Sequence, residues 1–333
     1  MSDNGHLALF ADSIQRSSIH SLRKHLVENG KTDIKNLVET KKAGIFASKG
    51  IAMNDKLISR YDILVSQYKE FISEKLSKQD FIEYNEILFS AHSCAIEGNS
   101  FSVDETRTLK EKGLGMIPQG KTLLEAFEIL DHFQAYEYLL NNLDKPLDEQ
   151  LLKETHRLLT EHTLAYKTRC DDTPSAPGEY TTVDMCAGDT IFGDHEQLIR
   201  QVPRLLQSTQ HVMDSGEIHP MVIAARFHGF YEYLHPFRDG NGRLGRLMSN
   251  FILLKKEQPL LIIPRSQREE YITALRYIKK ERTDEFLTDF FFQVSIQRME
   301  QEIREKKNLT ENFIKGMEFV TNLKTSGRDV SDS

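Results

Sequence analysis

The chain is poor in the features that mark secreted and membrane proteins. It has no tryptophan and only three cysteines among 333 residues, and Cys94, Cys170 and Cys186 form no Cys-x-x-Cys pair. An odd number of cysteines without that pair gives neither a disulfide framework nor zinc-ligand spacing, which favours a reducing compartment. The longest apolar runs, such as 260–263, are far too short to span a membrane.

Basic residues are also in the minority. Lysine and arginine number 43 against 50 aspartates and glutamates, for a formal net charge of −7. Domains that bind phosphate backbones normally carry a basic excess, so we expect no nucleic-acid partner, and the lack of a long apolar segment predicts no membrane partner. Residues 1–11 contain no basic stretch followed by an apolar core, and we therefore expect a cytoplasmic protein.

Helical signals fill most of the chain. Capping boxes, in which a hydroxyl precedes a carboxylate by three residues, occur at Ser102 with Glu105, Thr122 with Glu125, and Ser266 with Glu269. Apolar residues also recur every three or four positions, as in the stripe Leu123, Phe127, Leu130, Phe133 and Tyr136. The sequence predicts a mainly α fold.

One segment favours β-structure. The residues Tyr180, Thr181, Thr182 and Val183 precede a Gly-Asp pair at 188–189, and Thr190, Ile191 and Phe192 follow it. Two short runs of β-favouring residues around such a pair predict a hairpin.

The run from His235 to Arg246 reads His-Pro-Phe-Arg-Asp-Gly-Asn-Gly-Arg-Leu-Gly-Arg and is followed by a helical apolar pattern. Gly240 and Gly242, on either side of Asn241, allow successive amides to turn toward one anion. The helix that begins there adds its positive end. This part of the chain therefore predicts a phosphate-binding loop.

Four side chains complete the predicted site. Arg243 and Arg246 lie three residues apart on one side of the helix, and their guanidinium groups suit phosphate oxygens. Asp239 offers a single hard carboxylate for a magnesium ion that also contacts substrate phosphates, and a neutral His235 can accept a proton from a hydroxyl. The alternative is an ordinary corner between two helices, which explains any one of these residues better than their combination.

The run resembles the signature of the Fic family, His-Pro-Phe-x-Asp/Glu-Gly-Asn-Gly-Arg-x-x-Arg, at every defining position. Residues 219–233 are similar to the helix that leads into the family's loop, Gly178-Glu179-Tyr180 looks like the start of its flap, and the similarity covers residues 90–290. The resemblance implies a Fic-type helical bundle with a short β-hairpin flap. It also implies transfer of AMP from ATP to a Ser, Thr or Tyr hydroxyl of a protein, with release of diphosphate.

The resemblance implies a role for each residue of the loop. His235 is the expected general base, and Asp239 is the expected Mg²⁺ ligand. The α and β phosphates are expected to lie on a cradle formed by Gly240, Asn241 and Gly242, and the β and γ phosphates are expected to contact Arg243 and Arg246. Phe237 is expected to anchor the loop in the core. Tyr271 is a candidate for the adenine pocket, with core packing as the alternative. ATP and Mg²⁺ are thus the expected substrate and cofactor.

A second motif lies upstream of the loop. Ser93 to Gly98 matches the family's inhibitory pattern Ser/Thr-x-x-x-Glu-Gly/Asn, and its position resembles the class with an N-terminal inhibitory helix, here near residues 90–97. An ionised Glu97 paired with Arg246 would occupy the guanidinium that receives the γ phosphate. Without the resemblance, the segment is a helix closed by a glycine.

The flap of such proteins is expected to register an extended target segment by strand addition, here at Tyr180, Thr181, Thr182 and Val183 within 180–192. Thr181 stands where the family often has arginine, so the chain departs from the family pattern at this position. The alternative is a merely exposed hairpin.

We expect an N-terminal helical region over 1–85, a Fic core over 86–290, and C-terminal helices with a frayed tail over 291–333. The expected protein partner is a target hydroxyl, on another protein or on the chain itself, and a homodimer is left open. Other functions also remain open: AMP removal or a bifunctional enzyme, transfer of phosphoryl, phosphocholine or UMP, and a nucleotide-sensing interaction module without catalysis. Gly242 stands where phosphoryl-transferring relatives have lysine, which argues against that group.

Overall fold

The computed structural model describes residues 55–169, 175–187, 190–281 and 283–326. From Leu57 onward the chain belongs to one compact unit. Helices dominate the described residues, which confirms the predicted mainly α fold, and no helix among them is both long and apolar enough to cross a membrane.

The described elements, in chain order, are α1 (55–71), α2 (Lys78–Ile96), α3 (Val103–Lys112), α4 (Leu123–Leu140), α5 (Glu149–Leu159), α6 (Leu164–Lys167), β1 (Cys186–Ala187), β2 (Thr190–Ile191), α7 (His195–Ser215), α8 (Pro220–Leu234), α9 (Asn241–Lys255), α10 (Arg268–Glu281) and α11 (Glu285–Ser326). Short 3-10 turns occur at Ser73–Lys75, Gly113–Met116 and Arg265–Gln267.

Two of the three predicted capping boxes are present. Ser102 caps α3 and Thr122 caps α4, each with the reciprocal bond from the carboxylate three residues later. The third prediction is wrong, because Ser266 lies inside a 3-10 turn rather than at a helix cap. That turn leads directly into α10, so the helical backbone is already established before Ser266 could act as a cap.

The core is built around α8 and α9. These two helices pack most extensively on each other, and α8 also packs against α7 and α11. The apolar spacing of α8 predicts five inward residues, of which Met221, Ala224, Ala225 and Phe227 are buried and Phe230 is only partly buried. The loop between α8 and α9 is therefore held at both ends by the best-packed helices of the fold.

The predicted stripe on α4 is only partly correct. Phe133 and Tyr136 are buried, but Leu123 is 52% exposed because it stands in the first turn, beyond the core cluster that contains Ala126 and Ile129. An apolar periodicity fixes the face of a helix and not the point along it where the core ends.

A short strand pair lies in the region of the predicted hairpin, but it does not include the predicted first run. β1 and β2 pair antiparallel, with Cys186 opposite Ile191 and Ala187 opposite Thr190, and the predicted turn at 188–189 lies outside the described residues. Residues 180–183 lie outside the strands. The reason is a tertiary contact: the Thr181 amide donates to the Pro236 carbonyl at 2.8 Å, which ties this segment to the α8–α9 loop instead of to β2.

The predicted regional boundaries fall inside helices. Residue 85 lies within α2 and residue 290 within α11, which continues to Ser326. Residues 1–54 and 327–333, which include most of the predicted N-terminal region and most of the predicted frayed tail, lie outside the described residues.

Candidate active site

Two residues in the left-handed backbone region bracket the loop between α8 and α9. His235 follows the last turn of α8 with φ 48°, and its amide donates to the Tyr231 carbonyl at 2.9 Å. Gly240 has φ 78° and directly precedes α9. Left-handed residues end one helix and start the next within a short span, so His235 is placed beside the N-terminus of α9.

Gly240 is a position where the backbone demands glycine. An added Cβ would lie 2.9 Å from Thr160 Cγ2, and φ is already positive. We expect Gly240→Ala to lower the free energy of unfolding by about 1–3 kcal/mol, measured by chemical denaturation. Gly216→Ala is the matched control, because Gly216 has φ 68° but nothing lies within 4 Å of its Cβ position. The loss of unfolding free energy in that variant therefore comes from the backbone conformation alone. Equal losses in the two variants would show that Thr160 accommodates the methyl group.

Asn241 braces the loop internally. Its side chain accepts a hydrogen bond from the Phe237 amide at 3.0 Å and donates to the Phe237 carbonyl at 2.6 Å. The Phe237 ring is fully buried, in agreement with its predicted role as the anchor. Because the Asn241 side chain is used in this way, its backbone amide is the group left for an anion. The first amides of a helix have no carbonyl four residues earlier to bond.

His156 joins the loop to the segment before the hairpin. Its Nε2 donates to the Asp239 carbonyl at 3.0 Å, its Nδ1 accepts from the Gly178 amide at 2.8 Å, and its ring stacks on Phe237 at 3.7 Å. Burial lowers the pKa of His156 to about 4, so the ring is neutral and both nitrogens have fixed roles. The sequence suggests a structural histidine but gives no sign of these partners.

The His235 imidazole is held on one face and one edge. Phe192 stacks on the ring with 3.8 Å between centroids, and Glu232 Oε2 lies 3.7 Å from Nδ1. Nδ1 is buried and has no hydrogen-bond partner, while 21% of the side chain remains exposed. Since Nδ1 is enclosed, Nε2 is the nitrogen available to a substrate.

Arg243 is buried with unused donors. Its side chain is 1% exposed, and Nη2 donates to Asp239 Oδ2 at 2.7 Å. Its Nε and Nη1 are buried and have no hydrogen-bond partner. A buried guanidinium is costly unless its donors are satisfied, so this arrangement at the start of α9 fits an incoming anion.

Asp239 is the carboxylate of the loop, and it contacts a second cation that no motif predicts. Besides Arg243, the Lys167 ammonium lies 3.3 Å from Asp239 and also pairs with Glu128 at 2.5 Å. Burial would raise the pKa of Asp239, but Arg243 and Lys167 together lower it, which keeps the group ionised. An ionised, 28% exposed carboxylate fits one ligand of a hydrated Mg²⁺.

Arg246 is engaged by the predicted inhibitory motif. Its Nη2 donates to Glu97 Oε1 at 2.7 Å and to the Ser93 carbonyl at 2.8 Å, while Nε donates to Ser93 Oγ at 3.1 Å. Arg246 is 2% exposed, whereas the Glu97 side chain is 38% exposed. Ser93 and Glu97 of the inhibitory motif thus both bind the guanidinium of Arg246, which belongs to the loop signature.

Gly242 leaves room for the Glu97 carboxylate. A Cβ at Gly242 would overlap Glu97 Oε1 and lie 3.1 Å from its Cδ. The carboxylate therefore lies against the first turn of α9, where the partial positive charge of a helix N-terminus attracts anions.

Tyr271 belongs to a buried network. It is 1% exposed, and its hydroxyl lies 2.6 Å from His228 Nε2 and 3.4 Å from Arg246 Nη1. These contacts match core packing, the alternative to an adenine pocket, and they connect Tyr271 to the phosphate side of the predicted site. Arg246 and Tyr271 are therefore coupled, although 25 residues separate them.

Known proteins resemble this chain in sequence and in structure. Residues 146–253 match the Fic/DOC family. A Drosophila grimshawi protein named "Protein adenylyltransferase Fic" is 32% identical over 190 residues, which is 56% of this chain and 36% of that relative. The chain thus spans only about a third of the length of the curated relatives that it matches.

Solved structures give the same fold. A single-residue variant of Fic-1 from C. elegans (residues 134–508) superposes with a TM-score of 0.65 at 21% identity, covering 89% of this chain and 87% of that one. A Fic-domain-containing signaling protein from Bacteroides thetaiotaomicron gives a TM-score of 0.62 at 21% identity, covering 75% and 97%. The complete loop signature, at the junction of α8 and α9, lies within the residues that match the Fic/DOC family, so this part of the chain is similar to that family in sequence and in fold.

Proposed function

We propose that this chain is a protein adenylyltransferase that transfers AMP from ATP to a hydroxyl of a target protein and is restrained by Glu97. The observation that carries the proposal is Arg243, whose buried Nε and Nη1 lack partners at the N-terminus of α9. That is a site for a polyanion, and a histidine stands beside it. The relatives named protein adenylyltransferase support this assignment.

The reaction needs positioning more than covalent help from the protein. The target hydroxyl oxygen forms a bond to the α phosphorus of ATP while the bond from that phosphorus to the bridging oxygen of diphosphate breaks. The hydroxyl proton passes to Nε2 of His235. Arg243 and Arg246, on α9, neutralise the charge that builds on the leaving diphosphate.

Magnesium, when bound, would be held through Asp239 and would offset phosphate charge as a Lewis acid. Lys167 contributes a second positive charge at the same carboxylate, 3.3 Å away. Lys167 and Arg243 keep Asp239 ionised, and they also hold its side chain in place before the substrate arrives.

Glu97 restrains the enzyme by occupying Arg246. While the 2.7 Å ion pair persists, that guanidinium is not free for the γ phosphate, and a negative charge lies against the first turn of α9. ATP can then bind only in a pose that is not aligned for transfer. Ser93 holds the same guanidinium through its carbonyl and hydroxyl, which makes the inhibitory contact part of the end of α2.

We also propose that the target approaches the segment 180–192, with the chain around Thr182 exposed next to the loop. Thr181 fixes this segment to the carbonyl of Pro236, so a target backbone paired there would be in register with His235. The catalytic core then corresponds to 86–290. We place the protein in the cytoplasm, where the thiols of Cys94 and Cys186 would stay reduced. The proposal also includes a homodimer and modification of the chain by itself.

Intact mass spectrometry tests the activity directly. Glu97→Gly protein is incubated with ATP and Mg²⁺, alone and with a cell lysate, and His235→Ala in the same background is the control. A gain equal to one AMP group on the chain or on a target supports the proposal. Phosphate or another group would point to a different transferase, and no gain on any protein would leave a nucleotide-sensing module as the better description.

AMP removal is the second candidate function, because the partly exposed carboxylate of Glu97 could also position a water molecule. Wild-type protein and Glu97→Gly are each given a target already carrying AMP. Loss of the group only with the wild type would assign removal to Glu97.

Substitution of Arg243 tests the predicted contact with the phosphates of ATP. We expect Arg243→Gln to weaken ATP affinity by about 10–100-fold, because a charge-assisted contact to phosphate is lost, and calorimetry measures the change. Arg298→Gln is the matched control, since Arg298 is also largely buried and has an unpartnered Nε, but lies on α11 paired with Glu302. Unchanged affinity in the Arg243 variant would contradict its role.

A further inference from the structure

Glu232 is a buried carboxylate one helical turn before His235. Its side chain is 13% exposed, and its Oε2 lies 3.7 Å from His235 Nδ1. Neither Glu232 Oε1 nor His235 Nδ1 has a hydrogen-bond partner, although both atoms are buried. Such unpaired groups are rare in folded proteins, and here a small rotation would join the two side chains.

The surroundings of Glu232 keep it charged. The ionisable groups that face it are His228, His235, Arg246, Tyr231 and Tyr271. Burial would raise the pKa of Glu232, but His235, His228 and Arg246 outweigh this effect and lower it. Gly245 on α9 leaves room for the carboxylate, because a Cβ there would lie 3.0 Å from Glu232 Oε1.

The orientation of the imidazole is restricted from another direction. Phe192 stacks on its face with an interplanar angle of 15°, so the ring plane is set. Along one edge of the ring, Glu232 Oε2 lies 3.7 Å from Nδ1. A carboxylate facing Nδ1 favours the tautomer with the proton on Nδ1.

We propose that Glu232 is a positioning residue that holds His235 with its proton on Nδ1, which leaves Nε2 unprotonated toward the target hydroxyl. This inference rests on the proposed function, in which His235 is the general base. When the hydroxyl proton moves to Nε2, the imidazole becomes a cation, and the carboxylate stabilises it without taking the proton. The substrate oxygen bonds to the α phosphorus as diphosphate leaves.

Glu232→Gln removes the charge and keeps the shape of the side chain. In the Glu97→Gly background we expect kcat to fall about 10-fold or more, and Glu232→Ala to lower it further, with the Kd for ATP unchanged. The imidazolium that forms during transfer then has no neighbouring carboxylate to stabilise it, so the loss appears in kcat and not in ATP binding. Glu86→Gln is the matched control, because the Glu86 side chain is 10% exposed and pairs with Lys110 away from the loop.

A second readout does not depend on activity. The tautomer of the His235 imidazole is determined by nuclear magnetic resonance in wild-type and Glu232→Gln protein, with His235→Ala to assign the signal. Less of the Nδ1-protonated tautomer in the variant supports the proposal. An unchanged tautomer would overturn it, even if activity falls. If Glu97→Gly transfers no AMP while the tautomer responds, the proposed function fails and the positioning role stands.

Discussion

Replacing His235 with alanine in the Glu97→Gly background is expected to lower AMP transfer by about 10²–10⁴-fold, the usual contribution of a positioned general base. The reason is geometric. With Nδ1 buried beside Glu232 and Phe192 stacked on the ring, the imidazole can offer Nε2 to a hydroxyl at the start of α9. Transfer is measured with labelled ATP, and ATP affinity by calorimetry, where little change is expected because the arginines and backbone amides remain.

The control for this experiment is His211→Ala. His211 is exposed on α7 and should leave both transfer and binding unchanged. If His235→Ala retained most of the transfer rate, the imidazole would not be the base, and the hydroxyl would have to lose its proton to water or to another group. If the variant instead lost ATP binding, the loop itself would depend on the ring that stacks on Phe192.

The geometry of the loop was predictable because its residues are contiguous. From His235 to Arg246, the tight turn at Gly240 and the two guanidinium groups at the start of α9 follow from local backbone rules, and the burial of Phe237 agrees with the family resemblance. The pairing of Glu97 with Arg246 spans 149 residues, and it was predictable only because a second motif matched a known pattern.

Residues without a motif could not be placed in this way. His156 reaches Asp239 across 83 residues, and Lys167 reaches the same residue from a four-residue helix. Their positions depend on how α5 and α6 pack against the loop, which periodicity does not specify. The first flap strand was misplaced for a similar reason, since the bond from Thr181 to Pro236 is a tertiary contact that overrides β propensity.

Glu97→Gly is expected to raise AMP transfer by about 10–100-fold over wild type, as judged by labelled ATP on the chain and on targets. Hydrogen bonds to charged groups are worth about 1.5–3 kcal/mol, and this substitution removes one from Arg246. It also removes the carboxylate from the first turn of α9. Arg246 keeps its bonds to Ser93, so the guanidinium stays near its place and gains a free Nη2 position for the γ phosphate.

Glu97→Gln separates charge from shape. The amide fills the same volume beside Gly242 but carries no negative charge, so repulsion of the phosphates is relieved while steric occupation persists. If charge is the main restraint, the glutamine variant should show most of the increase in AMP transfer that the glycine variant shows. Added salt should then change the transfer rate of the glutamine variant little. If occupation dominates, glutamine should behave like the wild type. Equal transfer by the wild type and both variants would remove the inhibitory role of Glu97, and the ion pair with Arg246 would then only join the end of α2 to α9.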